Sequence, residues 1–82
     1  MKTEQIIDAL ESEGEVLFYK GTTAIKIIDE MDSYSIAIYR CENTQIDNYN
    51  IDENFIFLDS TYADTTDPKY AIKWALDLAK DY

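Results

Sequence analysis

Three runs of β-branched and aromatic residues, separated by two short turn sequences, fill residues 15–40 and leave this chain few ways to fold. Val16, Leu17, Phe18 and Tyr19 make the first run, Ala24, Ile25, Lys26, Ile27 and Ile28 the second, and residues 34–40 the third. Such side chains fit a pleated surface better than the crowded turn of a helix, so each run predicts a strand. Lys20, Gly21, Thr22 and Thr23 supply one turn, and Glu30, Met31, Asp32 and Ser33 the next. In the third run Tyr34, Ile36 and Ile38 alternate with Ser35, Ala37 and Tyr39, the period of a sheet with one buried face. Connections this short join antiparallel neighbours, so the three runs predict a meander.

Helical signals flank this block. Over residues 3–12, Ile6, Ile7, Ala9 and Leu10 share one face and Glu4, Asp8 and Glu11 the other, with Thr3 expected as N-cap and Gly14 as the stop. Phe55, Ile56, Phe57 and Leu58 predict a fourth strand, followed by a polar connector over residues 60–66. Residues 44–51 are expected to add an edge strand, because structureless loops longer than ~12 residues are uncommon in compact domains. Asp67 before Pro68 is a strong helix start, since proline's missing N–H costs nothing at the first helical position. That helix, residues 68–81, carries Lys69, Lys73, Asp77 and Lys80 along one edge. Its other face holds Ala71, Trp74, Ala75, Leu78 and Tyr82, which places Trp74 in the expected core. With 82 residues, a chain burying little more than ~60% of its unfolded surface supports one core. The expectation is a single α+β domain over residues 1–82. It has an antiparallel sheet of four to five strands, with an N-terminal and a C-terminal helix on one face.

The charge is unevenly placed. Of a net charge of −10, residues 29–67 carry −9, with ten acids against the single Arg40, while residues 1–28 carry −2 and residues 68–82 carry +1. A sequence pI near 4.1 argues against direct binding of nucleic acid or an anionic membrane, both of which demand clustered lysine and arginine. A charge-driven partner is expected to be a basic protein surface. The residues proposed to meet it are Asp29, Glu30, Asp32, Glu42, Asp47, Asp52, Glu53, Asp59 and Asp64, with Tyr49 and Tyr62 as amphipathic contacts. Same-face carboxylates on a strand recur every ~6.6 Å, about twice the ~3.4 Å rise per nucleotide, so an acidic strand can imitate phosphate spacing. The plainer alternative is that acids collect in turns for local hydrogen bonding and for solubility.

Catalytic and metal chemistry find little support. The chain has no histidine and one cysteine, Cys41, which removes Ser-His and Cys-His pairs, the usual zinc sites and any internal disulfide. Gly14 and Gly21 are its two glycines, too few for a phosphate-cradling loop. An EF-hand-like register runs from Asn48 through Asn50 and Asp52 to Asp59, but it has Glu53 where the loop needs glycine and lacks the carboxylate and the longer glutamate at its two ends. No catalytic, metal or cofactor-binding residue is assigned, and a non-enzymatic protein is expected. The opening Met1-Lys2-Thr3-Glu4 places an acid before any apolar run, and no stretch approaches the ~18 apolar residues of a membrane span. A cytoplasmic location is expected.

In size, acidity and layout the chain resembles the small acidic α/β proteins that phages and other mobile elements use against bacterial defence, DNA-mimicking anti-CRISPR inhibitors among them. The resemblance rests on the short N-terminal helix, the meander around "TTAIKIIDEMDSYSIAIYR" and the final helix at "DPKYAIKWALDLAKDY". It implies an inhibitor that occupies the basic, nucleic-acid-binding surface of a partner protein. Two alternatives accompany it: an accessory domain that oligomerises through an apolar or tyrosine-rich sheet face, and an immunity or antitoxin protein against a basic nuclease or toxin.

Overall fold

The computed structural model of the chain describes residues 2–41 and 55–82. In chain order these form α1 (Thr3–Glu13), β1 (Glu15–Lys20), β2 (Thr23–Asp29), β3 (Tyr34–Cys41), β4 (Phe55–Ala63) and α2 (Pro68–Ala79). The four strands pair antiparallel in the order β1-β2-β3-β4, a plain meander, and both helices pack on one face of it. The fold is α+β. The edge strand expected over residues 44–51 lies outside the described residues.

Local chemistry sets each boundary. Lys2, rather than Thr3, is the N-cap of α1, and its N–H donates to Gln5 Oε1 at 2.9 Å. At the other end Gly14 takes the left-handed conformation, φ 79°, and its N–H donates to the Leu10 carbonyl at 3.0 Å. The Gly14 carbonyl then accepts from the Asp29 N–H at 2.8 Å, tying the helix stop to the end of β2. Lys20 pairs with Thr23 across a two-residue loop whose first position, Gly21, has φ 63°. That is the glycine-first arrangement of a type II′ hairpin, whose twist matches the strands it joins. The second hairpin is less relaxed, because its loop holds Met31 at φ 78° and 92% exposed. Asp29 Oδ1 accepts from the Met31 N–H at 2.8 Å, and the Glu30 N–H donates to the Ser33 carbonyl at 2.9 Å.

Strand β4 corrects the expected connector, since Ser60, Thr61, Tyr62 and Ala63 all belong to the strand. They stay extended because Ser35, Ile36, Ala37 and Tyr34 of β3 offer them ladder partners that their own polarity does not reveal. A bulge interrupts the pairing: Ile38 faces Asp59 and Tyr39 faces Phe57, leaving Leu58 as the extra residue.

The core is centred on Ile25, Ile27, Ile36 and Ile38, each at 0% exposure. Ile25 pairs with Ile38 and Ile27 with Ile36, so the four meet on the helix-facing side. Val16 and Phe18 extend the layer on β1, and Ile6 and Leu10 cover it from α1. From α2 the cover is Ile72 together with Ala71, Ala75 and Ala79, small residues at four-residue spacing that bring the helix close to the sheet. Asp67 caps this helix as the sequence predicts, its Oδ1 accepting from the Lys69 N–H at 3.0 Å.

Two stability outcomes follow for equilibrium denaturant unfolding. Ile36→Ala lowers stability by about 2–5 kcal/mol, through lost burial and the cavity left behind. Met31→Gly raises it by up to about 1 kcal/mol, because relief of the left-handed strain exceeds the added freedom of the unfolded chain.

Candidate functional site

The strand register decides which acids share a surface. Asp29 lies opposite Tyr34, and Tyr34 opposite Ala63, so these three form the terminal row of the sheet. Glu30 and Asp32 sit on the loop that closes this row, and Asp64 follows it directly. Asp29, Glu30, Asp32 and Asp64, all exposed, therefore gather at one end of the molecule. The opposite row runs through Lys20, Thr23, Arg40 and Ile56 and is cationic. Six residues of β2 separate the two rows, about 20 Å at strand rise. Among the described residues, the rows of the sheet are thus acidic at one end and basic at the other.

Tyr34 reports on the acidic end. It is buried at 6% exposure, and its phenol is pushed above the ordinary tyrosine value by burial, then by the nearby negative charges of Asp29, Asp67 and Glu11. Helix α1 and the start of α2 thus add two further acids, Glu11 and Asp67, near this row.

The remaining predicted residues divide. Tyr62 is 67% exposed and pairs with Ser35, on the sheet face away from the helices and next to the acidic end. Asp59 lies three residues back along β4, half-buried, and both its oxygens already accept hydrogen bonds. Oδ1 takes the Ser60 N–H at 2.8 Å and Oδ2 the Tyr82 hydroxyl at 2.7 Å. This bond, ahead of burial, raises the Tyr82 phenol as well. Glu42, Asp47, Tyr49, Asp52 and Glu53 lie outside the described residues. Among the described residues no group of three or more Cys, Asp or Glu is arranged to hold a metal ion. Arg40 makes no ion pair among them. The two pairs present are Lys26 with Glu15 at 4.0 Å and Lys80 with Asp77 at 3.3 Å.

Two aromatic surfaces escaped the sequence reading. On the helix-free side of the sheet, Tyr39 packs against Phe55 and Phe57 at centroid distances of 6.3 and 5.8 Å, and Tyr19 reaches Phe55 at 6.1 Å. The bulge at Leu58 puts Phe55 and Phe57 there, and simple alternation along β4 hides it. On α2, Trp74 is 37% exposed rather than in the core, its ring edge-on to Tyr70 at 5.9 Å. The alanines at 71, 75 and 79 take the inward position, and Trp74 is displaced to the flank. Together with Lys73, Asp77 and Leu78 the two rings line an open hollow of about 470 Å³.

Comparison with protein-family models, with curated proteins and with solved structures finds no match for this chain. No helix among the described residues is long and apolar enough to cross a membrane.

The raised Tyr34 and Tyr82 phenols fix the sign of one pH effect. Their protonated forms are favoured by folding, so the associated stability is complete below the unfolded tyrosine value of about 10 and is lost as pH rises through the folded values. Denaturant midpoints are expected to fall above about pH 10. In Tyr34→Phe the fall with rising pH is shallower.

Proposed function

We propose that this protein is a non-enzymatic acidic binding protein that occupies the basic, nucleic-acid-binding surface of a partner protein and so inhibits it. A phage-encoded inhibitor of bacterial defence would act in this way, and so would an immunity protein against a basic nuclease. The observation that carries the reading is the gathering of Asp29, Glu30, Asp32 and Asp64 at the end of the sheet farthest from Lys20 and Arg40. Such a gathering of carboxylates attracts an approaching cationic surface. It also raises the association rate, because the field acts before contact. Met31, exposed among these acids on a strained loop, gives the same end an apolar side chain that a partner can desolvate.

A second reading, an oligomerising accessory domain, draws support from the aromatic side chains of the helix-free sheet face, where Phe57 and Tyr62 are both exposed. The two readings differ in their salt response.

The test is capture of partners from a host lysate by immobilised protein, followed by affinity measurement at several salt concentrations. The acidic-surface reading expects binding to weaken at least about tenfold when Asp29, Glu30, Asp32 and Asp64 are reversed to lysine, and to fall steeply with added salt. Binding indifferent to both changes overturns it, and loss on Phe57→Ser alone transfers support to the second reading.

A further inference from the structure

The outward stripe of α2 has a charge order that its own helix opposes. Between its caps, Asp67 and Lys80, the first turn carries no acid and the last turn no base; Lys69 and Lys73 lie toward the N-terminal end, Asp77 and, beyond the cap, Asp81 toward the C-terminal end. A helix macrodipole favours the reverse, with acids at its positive N-terminus and bases at its negative C-terminus. Yet the same order suits an antiparallel neighbour, whose dipole and charges run the other way. Tyr70 and Trp74 lie on the same outward stripe, both exposed around the hollow lined with Lys73, Asp77 and Leu78.

We propose that this face of α2 binds a second copy of the chain, forming a two-fold homodimer of antiparallel α2 helices. A two-fold axis passing beside the helix at the level of Ala75 sets residue 75 − n of one copy opposite residue 75 + n of the other. That single operation brings Lys73 against Asp77 of the second copy and its mirror pair, and places Lys69 and Asp81 at the flanks. It sets Tyr70 opposite Lys80, whose present partner Asp77, at 3.3 Å and exposed, is an exchangeable surface contact. Trp74 lies one residue from the axis, so the two indoles flank the centre, the position at which aromatic anchors contribute most to an interface.

Long-range charge points to the same face. Two molecules of net charge −10 repel, and most faces bring acids toward acids. Residues 68–82 carry net +1, whereas residues 1–28 and 29–67 are both net negative, so α2 offers the approach of least repulsion. The inward alanines keep α2 docked on the sheet while its outer stripe meets the other copy, so the dimer requires no refolding. In such a pair one dimer displays two acidic ends.

The test is sedimentation velocity of the full chain from micromolar to millimolar concentration, with emission from the single tryptophan, Trp74, followed in parallel. The proposal expects a monomer–dimer equilibrium, with indole emission moving to the red on dilution. Lys73→Asp and Asp77→Lys each put like charges in register and raise the dimer dissociation constant at least about tenfold. Mixing the two variants restores a dimer as the heterodimer, and the doubly swapped chain restores the homodimer. These recoveries separate the effect from misfolding, and circular dichroism of each variant checks the fold. A chain that stays monomeric to millimolar concentration, or a dimer indifferent to both single reversals, overturns the proposal. Reversal of Asp29, Glu30, Asp32 and Asp64 leaves the α2 contact intact, so failure of the acidic-end reading and failure of the dimer are told apart.

Discussion

Ile25 opposite Ile38 and Ile27 opposite Ile36 form a block of four fully buried side chains, and the hairpins, the helices and both charged ends take their positions from it. A slip of one residue between β2 and β3 would turn every one of these isoleucines to the other face of its strand. The same slip would separate Asp29 from Tyr34 and dissolve the acidic row. Packing and charge placement are therefore set by one register, although the acids themselves contribute nothing to the core. The helices read that register from above: Ile6 and Leu10 of α1 and the alanines of α2 fit only over the face where the isoleucines emerge.

The parts legible in the sequence are those in which local preference and tertiary packing agree. The alternation of Tyr34, Ile36 and Ile38, the Gly14 stop, the Gly21 turn and the Asp67-Pro68 start each have a local cause, and each stands where the residues place it. The misses have non-local causes. Ser60 and Thr61 look like a connector, and only β3 makes them strand. Trp74 looks like core because it is large and apolar, but a helix laid close on a sheet of isoleucines favours alanine beneath it. The acidic region was legible as composition, while the convergence of Asp29 and Glu30 with Asp64 depends on a pairing between strands distant in sequence.

Among the described residues, two exposed ion pairs are all that offset the charge, and pairs of that kind contribute about 0–1 kcal/mol each. Folding therefore rests on apolar burial, and the surplus negative charge is a cost that solvent screening reduces. Added salt then acts in opposite directions on two properties. It relieves self-repulsion within the folded chain, and it weakens attraction toward a cationic partner. Under the proposed reading, such a protein is most stable under the conditions in which it binds least.

The bulge at Leu58 gives β4 an unusual parity. Phe55 and Phe57 share odd numbering with Asp59, Thr61 and Ala63, yet the extra residue places the aromatics on one side of the sheet and the later three on the other. A single extra residue thus lets two positions of equal parity face opposite sides of one strand. Loss of that residue would leave Phe57 opposite Tyr39 and Asp59 opposite Ile38, so the aromatics would keep to the open side of the sheet. What the extra residue contributes is the local bend and added twist of β4 at that level.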